Sequence, residues 1–268
     1  MAWAGRVELP LEVFTAIWRW EDIGEPHNVL ADAITWQTED EQRAADRRAW
    51  AVLAERGLAG PRGLDPEFGD LVRLIDRPEV EFYGWITAPQ VDISVLVSVG
   101  RRDAGLVVRD KPAGVVRVHR IYADGAMDAL LAQLPPVPAA RGASVSVPEA
   151  DMREQPGPRV RPLNERTGFT SLAAVQREQD AAVRPEVSAL KEILNLPRTG
   201  GGQLYAARWT PMGVRKRIER PVVYLDTASG RWLTQLRRSP SGESWIVAAP
   251  ATPQLLASRL HEALRMLS

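Results

Sequence analysis

The chain has 268 residues, enough for one large domain or two small ones with a sizeable core. Its 34 Lys and Arg balance 34 Asp and Glu, so it lacks the long-range field of a general nucleic-acid binder. It has no cysteine, which excludes disulfides, thiolate-held metal and thiol catalysis, and no run nears the roughly 20 apolar residues of a membrane helix.

A first helix is expected from Pro10, where the missing N–H costs nothing, with Val13, Phe14, Ile17 and Trp18 as its apolar stripe. A second runs from about Glu39 to Arg56, presents Ala45, Ala49, Trp50 and Leu53 on one face, and stops at Gly57. A third begins at Asp65-Pro66 and places Phe68, Leu71, Val72 and Ile75 at i, i+3, i+4 and i+7. Two strands follow, Val80–Thr87 and Gln90–Val99, joined by a bend at Ala88-Pro89. In the second, Val91, Ile93, Val95, Val97 and Val99 alternate with Asp92, Ser94, Leu96 and Ser98, the pattern of a half-buried strand. Gly100–Asp103 reads as a polar loop. Leu106–Arg109 and Val115–Ile121 make a hairpin around Asp110–Gly114. A helix from Asp124 carries Met127, Leu130, Leu131 and Leu134 and ends at Pro135-Pro136.

Residues 137–166 are rich in Pro, Ala, Gly, Arg and Glu and read as a connection, apart from a short strand at Ser144–Val147. The division is a single domain, 1–268, of two halves, 1–148 and 167–268, joined by a linker at 149–166. Helices Thr170–Val183 and Pro185–Leu196 follow, the second with Val187, Leu190 and Leu194 on its face. Gly200–Gly202 reads as a flexible connection, because a helix precedes it and a strand follows, the reverse of a phosphate loop. The closing sheet is Gln203–Thr210, Arg220–Asp226, Gly230–Leu236 and Ser244–Ala248. A last helix starts at Thr252-Pro253 and buries Leu256, Leu260, Ala263, Leu264 and Leu267. Nine positions separate Val118 from Met127, and nine separate Val247 from Leu256, each spanning strand, turn and helix face. The expected fold class is therefore α/β (α+β): a pseudo-twofold, duplicated antiparallel sheet flanked by helices.

No catalytic set emerges. His27, His119 and His261 have no His partner at metal-ligand spacing, so a zinc site is not expected. Asp226-Thr227-Ala228-Ser229-Gly230 resembles an aspartic-protease loop, but that chemistry needs two carboxylates; a hairpin turn explains the segment. No serine stands in a Gly-x-Ser-x-Gly elbow. Arg215-Lys216-Arg217, with Arg208, Trp209 and Arg220, forms a local basic hairpin suited to an acidic partner or to phosphates. In the first strand Val80, Phe82 and Ile86 share one face, and Tyr83 and Trp85 share the other. Tyr83 and Trp85 are anchors for a protein partner if that second face is open, and core if it is covered.

Several short segments, in order, resemble the EspG family, the ESX (type VII) secretion-associated proteins of actinobacteria. They are Val7-Glu8-Leu9-Pro10-Leu11, Arg56-Gly57-Leu58 with Leu64-Asp65-Pro66, Arg77–Glu81 and Ser144–Pro148. The second half adds Gly202-Gln203-Leu204, the charged stretch Val214–Arg220, Pro221–Thr227 and Gly230-Arg231-Trp232. The Arg- and Ala-rich composition agrees with a high-GC genome. The resemblance implies a cytoplasmic, non-catalytic chaperone without cofactor. It would bind the tip of the PPE subunit in a PE–PPE heterodimer and deliver it to a type VII secretion system. It would exist as a monomer or weak dimer, with no nucleic acid and no membrane insertion. The candidate contact residues are Tyr83, Trp85, Arg101, Arg102, Asp103, Val187 and Lys191. The alternative is a nucleic-acid-associated or regulatory module that uses the Arg208–Arg220 hairpin.

Overall fold

Period-two alternation is the strongest local signal in this chain, and it is realised as one antiparallel sheet of 11 strands. The computed structural model describes residues 5–21, 23–31, 38–153, 185–239 and 241–267. The order is β1 (Arg6–Pro10), α1 (Leu11–Glu21), α2 (Glu39–Glu55), a two-stranded ribbon of β2 (Ala59–Gly60) and β3 (Gly63–Leu64), and α3 (Pro66–Asp76). A meander follows: β4 (Val80–Ala88), β5 (Val91–Val99), β6 (Asp103–Asp110) and β7 (Val115–Tyr122), then α4 (Ala126–Leu131). The second half has β8 (Val145–Pro148), α5 (Glu149–Arg153), α6 (Pro185–Asn195), β9 (Arg198–Trp209) and β10 (Arg215–Arg217). It closes with β11 (Val222–Thr227), β12 (Gly230–Arg238), β13 (Ser244–Pro250) and α7 (Pro253–Arg265).

Across the sheet the strands run β1-β7-β6-β5-β4-β9-β11-β12-β13-β8, with β10 beside β9. Each half thus has an edge strand, helices, a four-strand meander and a closing helix. At the centre β4 and β9 pair antiparallel, with Tyr83 opposite Tyr205, as a twofold relation between the halves requires. The two nine-position spacings mark equivalent places, the passage from β7 into α4 and from β13 into α7.

Local chemistry sets the helix boundaries. Thr38 and Glu41 form a reciprocal capping box at α2, Asp65 accepts from the Phe68 N–H at α3, and Thr252 accepts from the Leu255 N–H at α7. Gly57, at φ +70°, turns the chain out of α2. The buried stripes match their periodicities: Val13, Phe14, Ile17 and Trp18 in α1; Phe68, Leu71, Val72 and Ile75 in α3; Leu256, Leu260 and Leu264 in α7.

Both faces of the sheet are packed. On one, α4 and α7 meet Phe82, Ile86, Val95, Val97, Leu204 and Tyr224. On the other, α1, α2 and α3 share a core with Leu96, Val107 and Val118, which Tyr83 and Ala207 extend toward the centre of the sheet. A separate small core under α6 joins Leu190 and Ile193 to Val147, Trp232 and Ala248.

The structure corrects four readings of the sequence. Residues 93–98 of β5 are all buried, so the strand is covered on both faces rather than half-buried. Its polar face is satisfied inside: the Ser94 hydroxyl donates to the Val29 carbonyl at 2.6 Å, and Ser98 to Ile75 at 3.2 Å. The first helix begins at Leu11 rather than Pro10, because Arg6–Pro10 is the edge strand β1, paired with β7. Gly200–Gly202 lies within β9, not in a connection; all three pair with β11, and Gly201 and Gly202 pair with β4 as well. The strand read as closing the first half, β8, pairs with β13 at the outer edge of the second. Of the expected linker at 149–166, residues 149–153 form α5, and the remainder lies outside the described residues, as does the expected helix Thr170–Val183.

Candidate partner-binding surface

Between the helices over β4–β7 and the small core under α6 runs a strip of sheet carrying Trp85, Gln203, Tyr205, Val223 and Leu225. These side chains come from β4, β9 and β11, and strand register alone brings them together. Gly201 shapes the strip, because a Cβ there would stand 2.9 Å from the Tyr224 carbonyl oxygen. On the opposite face Gly202 leaves room for the Tyr224 ring, which a Cβ would meet at 2.6 Å. The strip holds a depression of about 670 Å³ walled by Trp85, Pro89, Arg198, Gln203 and Val223.

The aromatic groups are held by one another. Tyr205 stacks on Tyr83 with centroids 5.2 Å apart and planes 10° from parallel. Trp85 meets both rings edge-on at 5.9 Å. The Tyr205 hydroxyl donates to Gln203 Oε1 at 3.3 Å, and the Arg217 guanidinium lies 5.4 Å from the centre of the Tyr205 ring. Tyr83 itself is fully buried beneath Tyr205 and His27. It is therefore a support for the surface and not a surface anchor. Trp85 and Tyr205 are half-buried and reach it.

A buried polar cluster fixes β10 beside this strip. Arg215 Nε donates to the Glu81 carboxylate, which is 2% exposed, and Arg215 Cζ sits 5.2 Å over Tyr83. Arg215 Nη2 is 2.9 Å from His27 Nε2. The Val29 N–H donates to His27 Nδ1 at 3.2 Å. Burial, and then the charge of Arg215, push the His27 pKa down to about 3, so the ring is neutral at pH 7. Its 3.4 Å approach to Glu81 is thus a dipolar contact, and Arg215 is the counter-charge of Glu81.

The other expected contact residues fall elsewhere. Arg101, Arg102 and Asp103 lie at the end of the sheet where β5 turns into β6. Arg101 is paired with Glu79 at 3.5 Å, and Asp103 accepts from Arg120 at 2.9 Å. Arg101 lines a cleft of about 1010 Å³ with Arg208, Trp209 and Pro211, so this loop joins the β9–β10 hairpin and not Trp85. On α6, Val187 packs against the small core, and Lys191 lines a shallow hollow with Ser188 and Pro197, immediately before Arg198. The structure therefore sets Trp85 apart from Arg101–Asp103, and places the α6 pair over β8, β12 and β13, outside the depression that Trp85 lines. Sequence reading missed Gln203, Tyr205, Val223, Leu225 and Arg217 as members of one surface; only the alternation Gln203–Tyr205–Ala207 hinted at it.

The basic hairpin is likewise divided. Arg215 is internal, and alternation in β10 puts Lys216 and Arg217 on opposite faces. The Asp226–Gly230 segment is the β11–β12 hairpin turn; Thr227 Oγ1 donates to the Gly230 carbonyl, and Asp226 binds Arg231. Among the described residues, no group of three or more His, Asp or Glu is placed to hold a metal ion, and no helix is long and apolar enough to cross a membrane.

The EspG family matches the chain over residues 10–262. No curated protein matches in sequence. Among solved structures, the chain is similar to the Mycobacterium tuberculosis type VII secretion system chaperone EspG5, determined in complex with the PE25–PPE41 dimer. The TM-score is 0.67 at 15% identity, and the similarity covers 98% of this chain and 97% of that one.

Proposed function

The chain belongs to the EspG family, and on that premise we propose that it is a non-catalytic cytoplasmic chaperone for PE–PPE-type heterodimers. It binds the tip of the PPE-type subunit, keeps the pair soluble and delivers it to a type VII (ESX) secretion system. The observation that carries this reading is the family match over nearly the whole chain. Support comes from the shared fold of EspG5, a chaperone whose structure contains a bound PE–PPE dimer.

The strip offers a physical means. A helical tip with apolar side chains aggregates when alone, and a shallow aromatic depression on a rigid sheet masks it. Trp85 and Tyr205 supply area, and Val223 and Leu225 the apolar floor. Val187 and Lys191 on α6 flank it. Arg101, Arg102 and Asp103 lie outside this proposed contact.

Co-expression with the PE–PPE-type pairs of the same genome tests the reading. One pair is expected to become soluble and to elute with the chain as a complex of one chaperone per pair. If every pair stays insoluble, or elutes separately, the chaperone assignment is wrong.

A further inference from the structure

We propose that Arg217 selects the partner, by taking a carboxylate that stands next to an apolar side chain on the docking tip. This rests on the chaperone reading above. Strand β10 is only three residues long, and it pairs with β9 through Arg215 opposite Trp209, Lys216 opposite Arg208 and Arg217 opposite Ala207. Ala207 belongs to the core that contains Tyr83, so Arg217 emerges on the face of the strip. Arg215, on the same face, is already neutralised by Glu81.

Arg217 is exposed, and among the described residues it has no carboxylate partner. Its contact is the face of Tyr205. A guanidinium laid on a ring keeps its N–H edge free, and that edge matches the two oxygens of a carboxylate. The ring beneath it is fixed by the Tyr83 stack, by the Trp85 edge and by the bond to Gln203. The strand bearing it is fixed by the buried Glu81–Arg215 pair, which makes Glu81 a positioning residue. Arg217 is therefore ordered before the partner arrives, and little side-chain freedom remains to be lost on binding.

The chemistry around it narrows the ligand. Trp85, Val223 and Leu225 ask for apolar groups; Arg217, opposite Ala207, adds a positive charge at the Tyr205 end of the strip, and Arg198, opposite Thr227, adds another at the far end of β9. A phosphodiester backbone would need several cations in a row, and Lys216 faces the other way, Arg215 is spent, and Arg198 stands at the opposite end of β9. One acidic side chain beside one apolar side chain fits. In a chain of zero formal net charge, such a residue discriminates between similar apolar tips without drawing acidic proteins in general.

The test uses the PE–PPE-type pair that co-elutes with the wild-type chain, and compares its affinity for Arg217→Glu, Arg217→Lys and Lys216→Glu. Arg217→Glu is expected to weaken binding roughly 10- to 100-fold with an unchanged melting temperature. Arg217→Lys is expected to lose part of that, and Lys216→Glu to stay within about twofold of wild type. Exchanging the contacted Asp or Glu of the partner for Arg is expected to restore binding to Arg217→Glu. If the wild-type chain holds a pair and Arg217→Glu holds it equally well, the inference falls and the chaperone reading stands. If Lys216→Glu weakens binding as much as Arg217→Glu, a diffuse field is at work and the inference also falls. If the wild-type chain holds no pair, both fall together.

Discussion

Asp226→Ala is expected to cost the fold about 3–5 kcal/mol, the loss typical when one partner of a buried ion pair is removed. The Asp226 and Arg231 side chains are 2% and 4% exposed. They are joined twice, Arg231 Nε to Oδ1 at 2.6 Å and Nη2 to Oδ2 at 2.8 Å. Nη2 also donates to the Pro135 carbonyl at 2.9 Å, and the guanidinium lies 4.5 Å from the Tyr224 ring centre. The Arg231 backbone adds to this: its N–H donates to Pro138, and its carbonyl accepts from Ala140 and Ala251. One residue thus ties the segment after α4 and the approach to α7 onto the β11–β12 hairpin. Without Asp226 the cation stays buried with a carbonyl and a ring. The pair Asp226→Ala with Arg231→Met removes both charges and is expected to be milder than the single change, since apolar replacement of a whole buried pair is often neutral. Guanidinium unfolding followed by tryptophan fluorescence reads this as a midpoint shift at unchanged slope. A single variant within about 1 kcal/mol of wild type would mean that the charge finds water.

Gly84→Ala is expected to be at least as damaging, because it strikes the joint between the halves. A Cβ at Gly84 would stand 2.2 Å from the Gln203 carbonyl oxygen and 2.8 Å from Leu204 Cδ2. The first neighbour is backbone, so only separation of β4 from β9 relieves the clash. The cost is about 3 kcal/mol or more, at the upper end of overpacking. Gly60 is the matched control: a Cβ there meets nothing within 4 Å, and Gly60→Ala is expected to shift stability by less than about 0.5 kcal/mol. Soluble yield and unfolding midpoint of the two variants decide the matter; equal behaviour would show that the central strands are not close-packed.

What could be read from the residues follows from what periodicity encodes. Helices α3 and α7 are legible because cap residues and 3.6-residue stripes coincide, at Asp65-Pro66 and Thr252-Pro253, and α1 is legible from its stripe. The meander β4–β7 was legible from alternation. Alternation names two faces but not what covers each, so Tyr83 is open between anchor and core in the sequence, and Tyr205 and His27 decide it by packing over the ring. Strand β1 was hidden by Pro10, which serves the end of a strand as well as the start of a helix. Gly200–Gly202 was hidden by composition, since three glycines signal a loop until a close neighbour explains them. Trp85 was visible in the sequence as a surface candidate; its neighbours Tyr205, Arg217, Val223 and Leu225 were not, because three different strands supply them and only register makes them adjacent.

The account turns on the partner sitting on the strip between the two helical layers. Hydroxyl-radical footprinting of the free chain and of its complex reads that location directly. Oxidation of Trp85 and Tyr205 is expected to fall sharply in the complex, while Met212 and Tyr122, 86% and 77% exposed beyond the strip, react as in the free chain. Protection of Met212 and Tyr122 with Trp85 and Tyr205 unchanged would place the partner at the Arg101 end of the sheet and contradict the account.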